Sequence, residues 1–213
     1  RRHATVPGQL LRRDVVVIEL PATATVSGVF TRNAFCAAPV LVAKQHLEHC
    51  RAEQRSPRFW LVNTGNANAG TGDAGLRDAR ASCAELAQRA GVAVEDVLPF
   101  STGVIGEPLP MERLLAGLTP ALESMASDSA AWENAGQGIL TTDTRAKGAT
   151  VSLDVDGQQV TINGITKGSG MIKPNMATML GFVVTDATIE VSLLDRLLRE
   201  TVDHSFNCIT VDS

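Results

Sequence analysis

The hydrophobic positions of the chain fall into short apolar runs separated by longer stretches of helical spacing. Runs of β-branched and apolar residues predict buried strands at 14–20, 58–63, 97–101 and 179–184, with a shorter strand at 28–31. Apolar residues three and four positions apart predict helices over about 39–50, 74–90, 110–125, 129–136 and 190–204. Strands that alternate with helices indicate an α/β fold.

One segment alternates in the manner of a β-hairpin. Residues 149–155 and 158–165 flank Asp156-Gly157, a pair that favours the tight type I′ turn. Two further runs, 139–144 and 207–211, predict additional strands. Because a hairpin is antiparallel, we predict mixed sheets flanked by helices rather than one purely parallel sheet.

Composition narrows the class of protein. The chain has 213 residues, enough for one domain or two small ones, and 44% of them are hydrophobic. Its net charge is −4, with basic and acidic residues interspersed, so no basic stripe predicts nucleic acid or a membrane surface as a partner. No run approaches the roughly 20 apolar residues of a membrane span, and no signal peptide is recognised. We therefore predict a cytoplasmic globular protein, and we expect a C-terminal portion beyond residue 213.

Cysteine and histidine residues give little sign of a metal site. The four cysteines are far apart, which predicts reduced, buried thiols in a cytosolic protein. His46 and His49 have the i, i+3 spacing of a helical metal pair, but no third ligand of suitable spacing follows. We predict that both are surface residues and that the chain holds no metal.

A loop dense in glycine and asparagine, residues 63–72, follows a predicted strand and precedes a predicted helix. This arrangement can cradle a phosphate at a helix N-terminus. The loop lacks both the lysine of a P-loop and the order G-x-G-x-x-G, so nucleotide binding is not expected. A non-enzymatic module that binds a small ligand through this loop remains an alternative.

The stretch KGSGMIKPNMATML, residues 167–180, holds the candidate chemistry. Three small residues follow Lys167, and Thr178 precedes an apolar run. Glycines allow backbone N–H groups to approach a ligand closely. We predict that Thr178 is the reacting group and that Lys167 brings a charge to the same site. The residues alone also permit an ordinary loop and a threonine that merely favours a strand.

This stretch closely resembles the signature of the ornithine acetyltransferase family, also called bifunctional glutamate N-acetyltransferase. The resemblance extends to VFTRNAFCAAPV at 29–40 and to the loop at 63–72. It implies a sandwich of stacked sheets flanked by helices. It also implies self-cleavage of the Ala177–Thr178 bond, after which Thr178 is an N-terminal nucleophile. The expected portions are 1–177 and 178–213, the second of them incomplete at its C-terminal end.

The resemblance also implies roles for other residues. Thr102 and Gly103, in a turn predicted at 101–106, correspond to the family's oxyanion hole, which needs donors about 3 Å from the developing negative oxygen. Thr141, Lys167 and Thr178 correspond to substrate-binding residues, with Lys167 pairing with a substrate carboxylate. Without the resemblance, residues 101–106 read as an ordinary turn at a strand end.

The activity implied by the resemblance is transfer of an acetyl group from N-acetylornithine to glutamate through an acetyl-threonine intermediate, in arginine biosynthesis. No cofactor is implied, although some members use acetyl-CoA as a substrate. The expected partner is the chain's own cleaved β portion, in a heterotetramer of two α and two β chains. An N-terminal-nucleophile amidohydrolase or aminopeptidase, in which water takes the acyl group, is the alternative enzyme.

Overall fold

The strands form two three-stranded sheets in the computed structural model, which describes residues 13–170 and 179–210. The strands are β1 Val15–Glu19, β2 Phe59–Asn66, β3 Val97–Val104, β4 Lys147–Val155, β5 Gln158–Lys167 and β6 Leu180–Thr185. The helices are α1 Ala38–Ala52, α2 Gly72–Ala90, α3 Met111–Glu123, α4 Ser129–Gly138 and α5 Val191–Asp203.

The two sheets differ in strand direction. In the first sheet, ordered β1-β2-β3, β1 is antiparallel to β2 and β2 is parallel to β3. The second sheet, ordered β4-β5-β6, is antiparallel throughout. At the hairpin turn Asp156 and Gly157 have φ values of 52° and 81°, as a type I′ turn requires. The predicted α/β class with mixed sheets is confirmed.

Strand β2 is buried on both faces, which explains its nearly continuous apolar sequence. Phe59 and Leu61 pack into a hydrophobic cluster with residues of α2 and α3. Trp60 and Val62 point the other way, into a second cluster that includes residues of α1 and α4. The first sheet therefore lies between two hydrophobic layers.

The second sheet packs one face against the first. Ile165 of β5 and Phe182 of β6 belong to the same cluster as Trp60. The ring of Phe182 lies 5.4 Å from the Trp60 ring and 5.0 Å from the Phe100 ring, the latter edge to face. Such contacts add to the free energy of burial. The predicted stacking of sheets is thus made through aromatic side chains.

Three strand predictions are wrong. Residues 28–31 form no strand; instead the Lys44 ammonium donates to the Thr31 carbonyl and lies 5.7 Å from the Phe30 ring centre. Residues 139–144 form an irregular loop after α4. The described part of 207–211 begins within a 3₁₀ turn, Phe206–Cys208, and forms no strand. Side-chain contacts outweigh local β-propensity at the first two places, and the turn does so at the third.

The cysteines are free, as expected of reduced thiols, but only two are buried. Cys50 and Cys83 are buried, whereas Cys36 is half-buried and Cys208 is exposed. Burial raises the pKa of the Cys83 thiol to about 12. The prediction of buried thiols is wrong for Cys208 because it lies in the surface turn after α5.

Among residues 13–170 and 179–210, every helix is either too short or too polar to cross a bilayer.

Candidate active site

The paired ends of β2 and β3 form one side of the site. The strands run parallel, with Thr64 opposite Thr102 and Gly65 opposite Gly103. Carboxyl ends of parallel strands meet at one edge of a sheet, where ligands commonly bind in open α/β folds. The Thr102–Gly103 pair therefore lies in a position suited to ligand contact.

Gly103 has no room for a side chain. Its φ is +132°, and an added Cβ would lie 2.3 Å from the carbonyl carbon and 2.4 Å from the carbonyl oxygen of Gly65. The sequence predicted a turn at 101–106, but β3 continues to Val104. That prediction is wrong because pairing with β2 runs on as far as Asn66. Thr102 is consequently a buried strand residue, with its backbone held by the sheet.

A polar network braces this edge of the first sheet. The Ser101 hydroxyl donates to the Asn63 side-chain oxygen at 2.5 Å, and the Asn63 amide donates to the Asn66 carbonyl at 3.0 Å. The Thr64 hydroxyl donates to Asp14 at 3.1 Å. Buried polar groups that are paired in this way hold a single arrangement.

Asn68 holds the glycine- and asparagine-rich loop, residues 63–72, in place through its hydrogen bonds. It is fully buried with φ +48°, its amide donates to the Gly75 carbonyl at 2.9 Å, and its side-chain oxygen accepts from Thr71 at 2.7 Å. Its own carbonyl accepts from the Ala38 backbone N–H at 3.1 Å. Asn68 thus joins the starts of α1 and α2, and its polar atoms are engaged within the protein rather than free for a ligand.

The second sheet contributes Lys167 to the candidate site. It is the last residue of β5, opposite Leu180 of β6, and it is only 8% exposed. Burial lowers the pKa of Lys167; attraction to Asp143 opposes this effect, and Lys147 adds to it. A buried ammonium is costly unless it meets negative charge. Lys167 is therefore suited to an anionic group of a ligand.

Thr141 lies in the loop that follows α4, beside a small ionic cluster. Thr141 is half-buried, and the Asp143 side chain two residues later is completely buried. Asp143 accepts from the Lys147 ammonium and from the Gly168 backbone N–H at 2.8 Å. Burial opposes ionisation of Asp143, but the hydrogen bonds from Lys147 and Gly168 and the positive charge of Lys147 outweigh it and lower the pKa.

Two hydroxyls connect the same loop to the glycine-rich segment after β5. The Thr142 and Ser169 hydroxyl oxygens lie 2.9 Å apart. This contact and the ionic cluster attach residues 141–143 to residues 167–169, although 24 or more positions separate them along the chain. Sequence reasoning assigned Thr141 and Lys167 but missed the residues that join them.

A large cleft, lined by residues of both sheets, includes Thr102, Gly103, Thr141 and Lys167 in its lining. Its volume is about 3200 Å³, several times the roughly 300–1000 Å³ of a small-molecule pocket. The predicted residues that the structure describes all line this cleft, which is large enough to extend well beyond one small ligand.

Ala177 and Thr178 lie outside the described residues, as does the whole of 171–178. Gly170 and Met179, the described residues on either side, both line the cleft.

A smaller recess of about 500 Å³ is lined by His46, His49, Arg80 and Glu95, among others. His46 is buried, contrary to prediction, because its Nδ1 donates to the Val97 carbonyl at 2.7 Å. Burial lowers the pKa of His46, with Val97 and Glu95 opposing the effect. Within 13–170 and 179–210, no group of three or more His, Cys, Asp or Glu could hold a metal ion.

Two stacked sheets, one mixed and one antiparallel, together with their helices define the class as α/β, and the buried Lys167 gives it an anion-compatible site. The model of the ArgJ family matches residues 2–213, and the chain belongs to this family.

Curated relatives support this membership. The chain is 52% identical over 201 residues to the arginine biosynthesis bifunctional protein ArgJ of Methylococcus capsulatus, covering 94% of this chain and 47% of the relative. It is 51% identical over 201 residues to the protein of the same name from Pseudomonas syringae pv. tomato, covering 94% and 48%. The chain spans about half the length of these relatives.

Solved structures show the same fold. The crystal structure of the arginine biosynthesis bifunctional protein ArgJ from Bacillus halodurans matches with a TM-score of 0.67 and 35% identity, over 79% of this chain and 85% of that chain. Ornithine acetyltransferase from Mycobacterium tuberculosis, complexed with ornithine, matches with a TM-score of 0.67 and 33% identity, over 78% and 84%.

Proposed function

We propose that this chain supplies the acetyl-transfer site of an enzyme of arginine biosynthesis, which moves an acetyl group from N-acetylornithine to glutamate. The observation that supports it most is the buried ammonium of Lys167 on the cleft that Thr102 and Gly103 also line. Both substrates carry a carboxylate for the ammonium and an amine or amide for the transfer. A related enzyme has been crystallised with ornithine.

Thr102 and Gly103 supply the oxyanion hole of this proposal. Attack on an acetyl carbonyl creates a negative oxygen, which donors held in advance stabilise more strongly than mobile ones. Pairing of β3 with β2 and the close approach of Gly103 to Gly65 restrict movement of this backbone. A donor in such a frame needs little reorganisation when charge develops.

Thr178 supplies the nucleophile once the Ala177–Thr178 bond has been cut. The new α-amine, with an ordinary pKa of about 7.7–8.0, accepts the hydroxyl proton as the oxygen attacks the acetyl carbon. The bond from that carbon to the ornithine nitrogen then breaks, and the nitrogen leaves as an amine with the proton. Glutamate's amine attacks the acetyl-threonine and regenerates the hydroxyl.

Two observations support cleavage at this place. Gly170 and Met179, which flank residues 171–178 along the chain, both line the cleft. The matched chain of the Bacillus halodurans structure is also similar in length to this chain, whereas curated relatives are about twice as long as the part matched. A precursor cut into two chains would give such a difference.

Lys167 pairs with the substrate carboxylate in this proposal, and Thr141 contacts the substrate from the neighbouring loop. Donor and acceptor use the same site in turn, as ping-pong transfer requires. Acetyl-CoA is proposed as a second donor rather than a bound cofactor. The cut portions stay together, as a cytoplasmic heterotetramer of two α and two β chains.

The test combines a mass measurement with an assay of acetyl transfer. The full-length protein is incubated with N-acetylornithine and glutamate, with and without acetyl-CoA, alongside Thr178→Ala and the exposed control Thr201→Ala. We expect wild type and Thr201→Ala to give two fragments that meet at Ala177/Thr178, and to form N-acetylglutamate. Thr178→Ala should stay intact and inactive.

Three results would contradict the proposal. Equal cleavage of the wild type and Thr178→Ala would exclude Thr178 as the agent of cleavage. Free acetate in place of N-acetylglutamate would indicate the amidohydrolase. An intact mass with ornithine binding unchanged in Thr178→Ala would indicate a binding module.

A further inference from the structure

Asp143 has a buried carboxylate, although its neighbours in the loop are exposed. Its side chain has no exposed surface, whereas Thr142 and Thr144 on either side are exposed. Burying a carboxylate is costly unless several donors meet it. The contacts of the Asp143 carboxylate should therefore explain why it is buried.

The contacts of Asp143 act on the residue next to Lys167. One carboxylate oxygen accepts the Gly168 backbone N–H at 2.8 Å and the Lys147 ammonium. The same ammonium donates to the Gly168 carbonyl at 3.1 Å. Asp143 and Lys147 thus hold Gly168 by both its N–H and its C=O, which fixes the backbone on which Lys167 ends β5.

The second carboxylate oxygen of Asp143 is buried and has no hydrogen-bond partner among the described residues. A carboxylate oxygen without a hydrogen bond attracts nearby cations strongly, because the effective dielectric constant inside a protein is low. The cation that this charge attracts, beyond Lys147, is Lys167. Asp143 therefore favours the charged form of Lys167 against the effect of burial.

The charges of the cluster add to a value that suits one substrate carboxylate. Two lysines and one aspartate leave a single net positive charge, and this charge lines the cleft through Lys147 and Lys167. A cluster without Asp143 would place two ammonium groups close together with no carboxylate to offset their repulsion.

We propose that Asp143 is a positioning residue, which holds Lys167 and the Thr141 loop on one wall of the cleft so that they receive the carboxylate of an amino-acid substrate. This inference rests on the proposed function of Lys167. Asp143 acts through Lys167 and Gly168, without contact to the reacting atoms.

The experiment compares two ligands that differ only in this carboxylate. Binding of ornithine and of ornithinamide, its neutral amide, is measured by calorimetry for the full-length wild type and for Asp143→Asn. The control is Asp154→Asn, since Asp154 accepts a backbone N–H from Gly157 at 2.9 Å at the far end of β4. Circular dichroism verifies that each variant is folded.

We expect Asp143→Asn to weaken ornithine binding at least tenfold and ornithinamide binding less than twofold. Asp154→Asn should leave both affinities unchanged. Equal losses for the two ligands would show a merely structural role, and no loss for either would exclude any role; both results overturn the inference.

Lys147→Met serves if Asp143→Asn does not fold, because the Lys147 side chain is 42% exposed and tolerates replacement more readily. It removes half of the contacts to Gly168 and one positive charge, so ornithine should bind at least threefold more weakly and ornithinamide as before. Unchanged ornithine binding in a folded Lys147→Met would overturn the inference. If the wild type binds ornithine and ornithinamide equally well, or transfers no acetyl group, the result would instead contradict the proposed function itself.

Discussion

The first and second sheets are equal in strand number but differ in how their faces are covered. In the first, both faces of β2 lie in hydrophobic clusters. In the second, Ile165 and Phe182 are buried on one face, while the other exposes Val151, Leu153 and Val155 by 49%, 46% and 50%. Burial therefore stabilises the first sheet on both faces and the second sheet on one face only.

The two sheets contribute different parts of the candidate site: the first provides the rigid backbone at Thr102 and Gly103, and the second provides the charge of Lys167. The first sheet holds Thr102 and Gly103 through close packing and a parallel ladder. In the second sheet, β5 ends at Lys167, whose surroundings are fixed by the ionic contacts of Asp143 and Lys147. Packing should dominate the response to substitution in the first sheet, and electrostatics should dominate it around Lys167.

The largest effect is expected for Gly103→Ala, and Gly157→Ala, at a glycine with open space around it, is its control. The Cβ added at Gly103 would overlap the Gly65 backbone, so we expect a loss of about 4 kcal/mol in the free energy of unfolding. Gly157→Ala, at φ +81° with nothing within 4 Å of the added Cβ, should cost about 1 kcal/mol. Urea unfolding measures both. Equal costs would mean that the contact with Gly65 is easily relieved.

Removal of a buried leucine should cost less than this overlap but more than removal of an exposed one. Leu118 is fully buried beneath the first sheet, so Leu118→Ala should lower the free energy of unfolding by about 3 kcal/mol. Leu153→Ala, on the exposed face of the second sheet, should cost about 0.5 kcal/mol. A similar loss for both would show that the outer face is covered in the folded protein.

Lys167→Met should stabilise the protein while it weakens ornithine binding. Burial lowers the pKa of Lys167, so below the folded pKa the ammonium destabilises the fold, and this penalty fades as pH rises towards 10.5. We expect a gain of about 1 kcal/mol at pH 7 that disappears above about pH 10.5. Thermal unfolding against pH measures it. Lys147→Met should instead destabilise, because it leaves Asp143 without its ammonium; stabilisation by both would refute the distinction.

The smallest effect is expected where α5 contacts α1. Arg51 donates to Asp195 at 2.7 Å between partly exposed side chains, so Arg51→Ala should cost about 0.5 kcal/mol. Burial raises the pKa of Asp195, but bonds from Ser27 and Arg51 outweigh it and lower the pKa. The difference from wild type should be complete above about pH 4 and vanish as pH falls through the folded pKa. If Arg51→Ala lowers the free energy of unfolding equally at acidic pH, the loss comes from packing of the side chain rather than from the ion pair.

Periodic parts of the chain were predictable because their signals are local. The hairpin followed from Asp156-Gly157, and β1 and α5 from apolar spacing. Residues 139–144 were not predictable, since Asp143 bonds to Gly168, 25 positions later, and this contact excludes the strand that the threonines favour. Long-range contacts of this kind leave no periodic trace.

The candidate site was predictable only in part. Resemblance to a family located Thr102, Gly103, Thr141 and Lys167, which line one cleft, while their roles remain proposals. Asp143 and Lys147 were missed because residues 139–144 were predicted as a strand, and their contacts with Gly168 lie more than 20 positions away along the chain. Asp143 lies in a loop and Lys147 at the start of β4, and both bond to Gly168, the residue that follows β5.

The position of β6 determines what a break in the preceding segment would do. This strand is joined to β5 by a ladder from Ile162–Thr185 to Lys167–Leu180, and Phe182 is inserted between Trp60 and Phe100. A cut anywhere between Gly170 and Met179 would create two new termini without releasing either piece. The nicked protein should migrate as one particle under native conditions and separate only when a denaturant dissolves that aromatic contact.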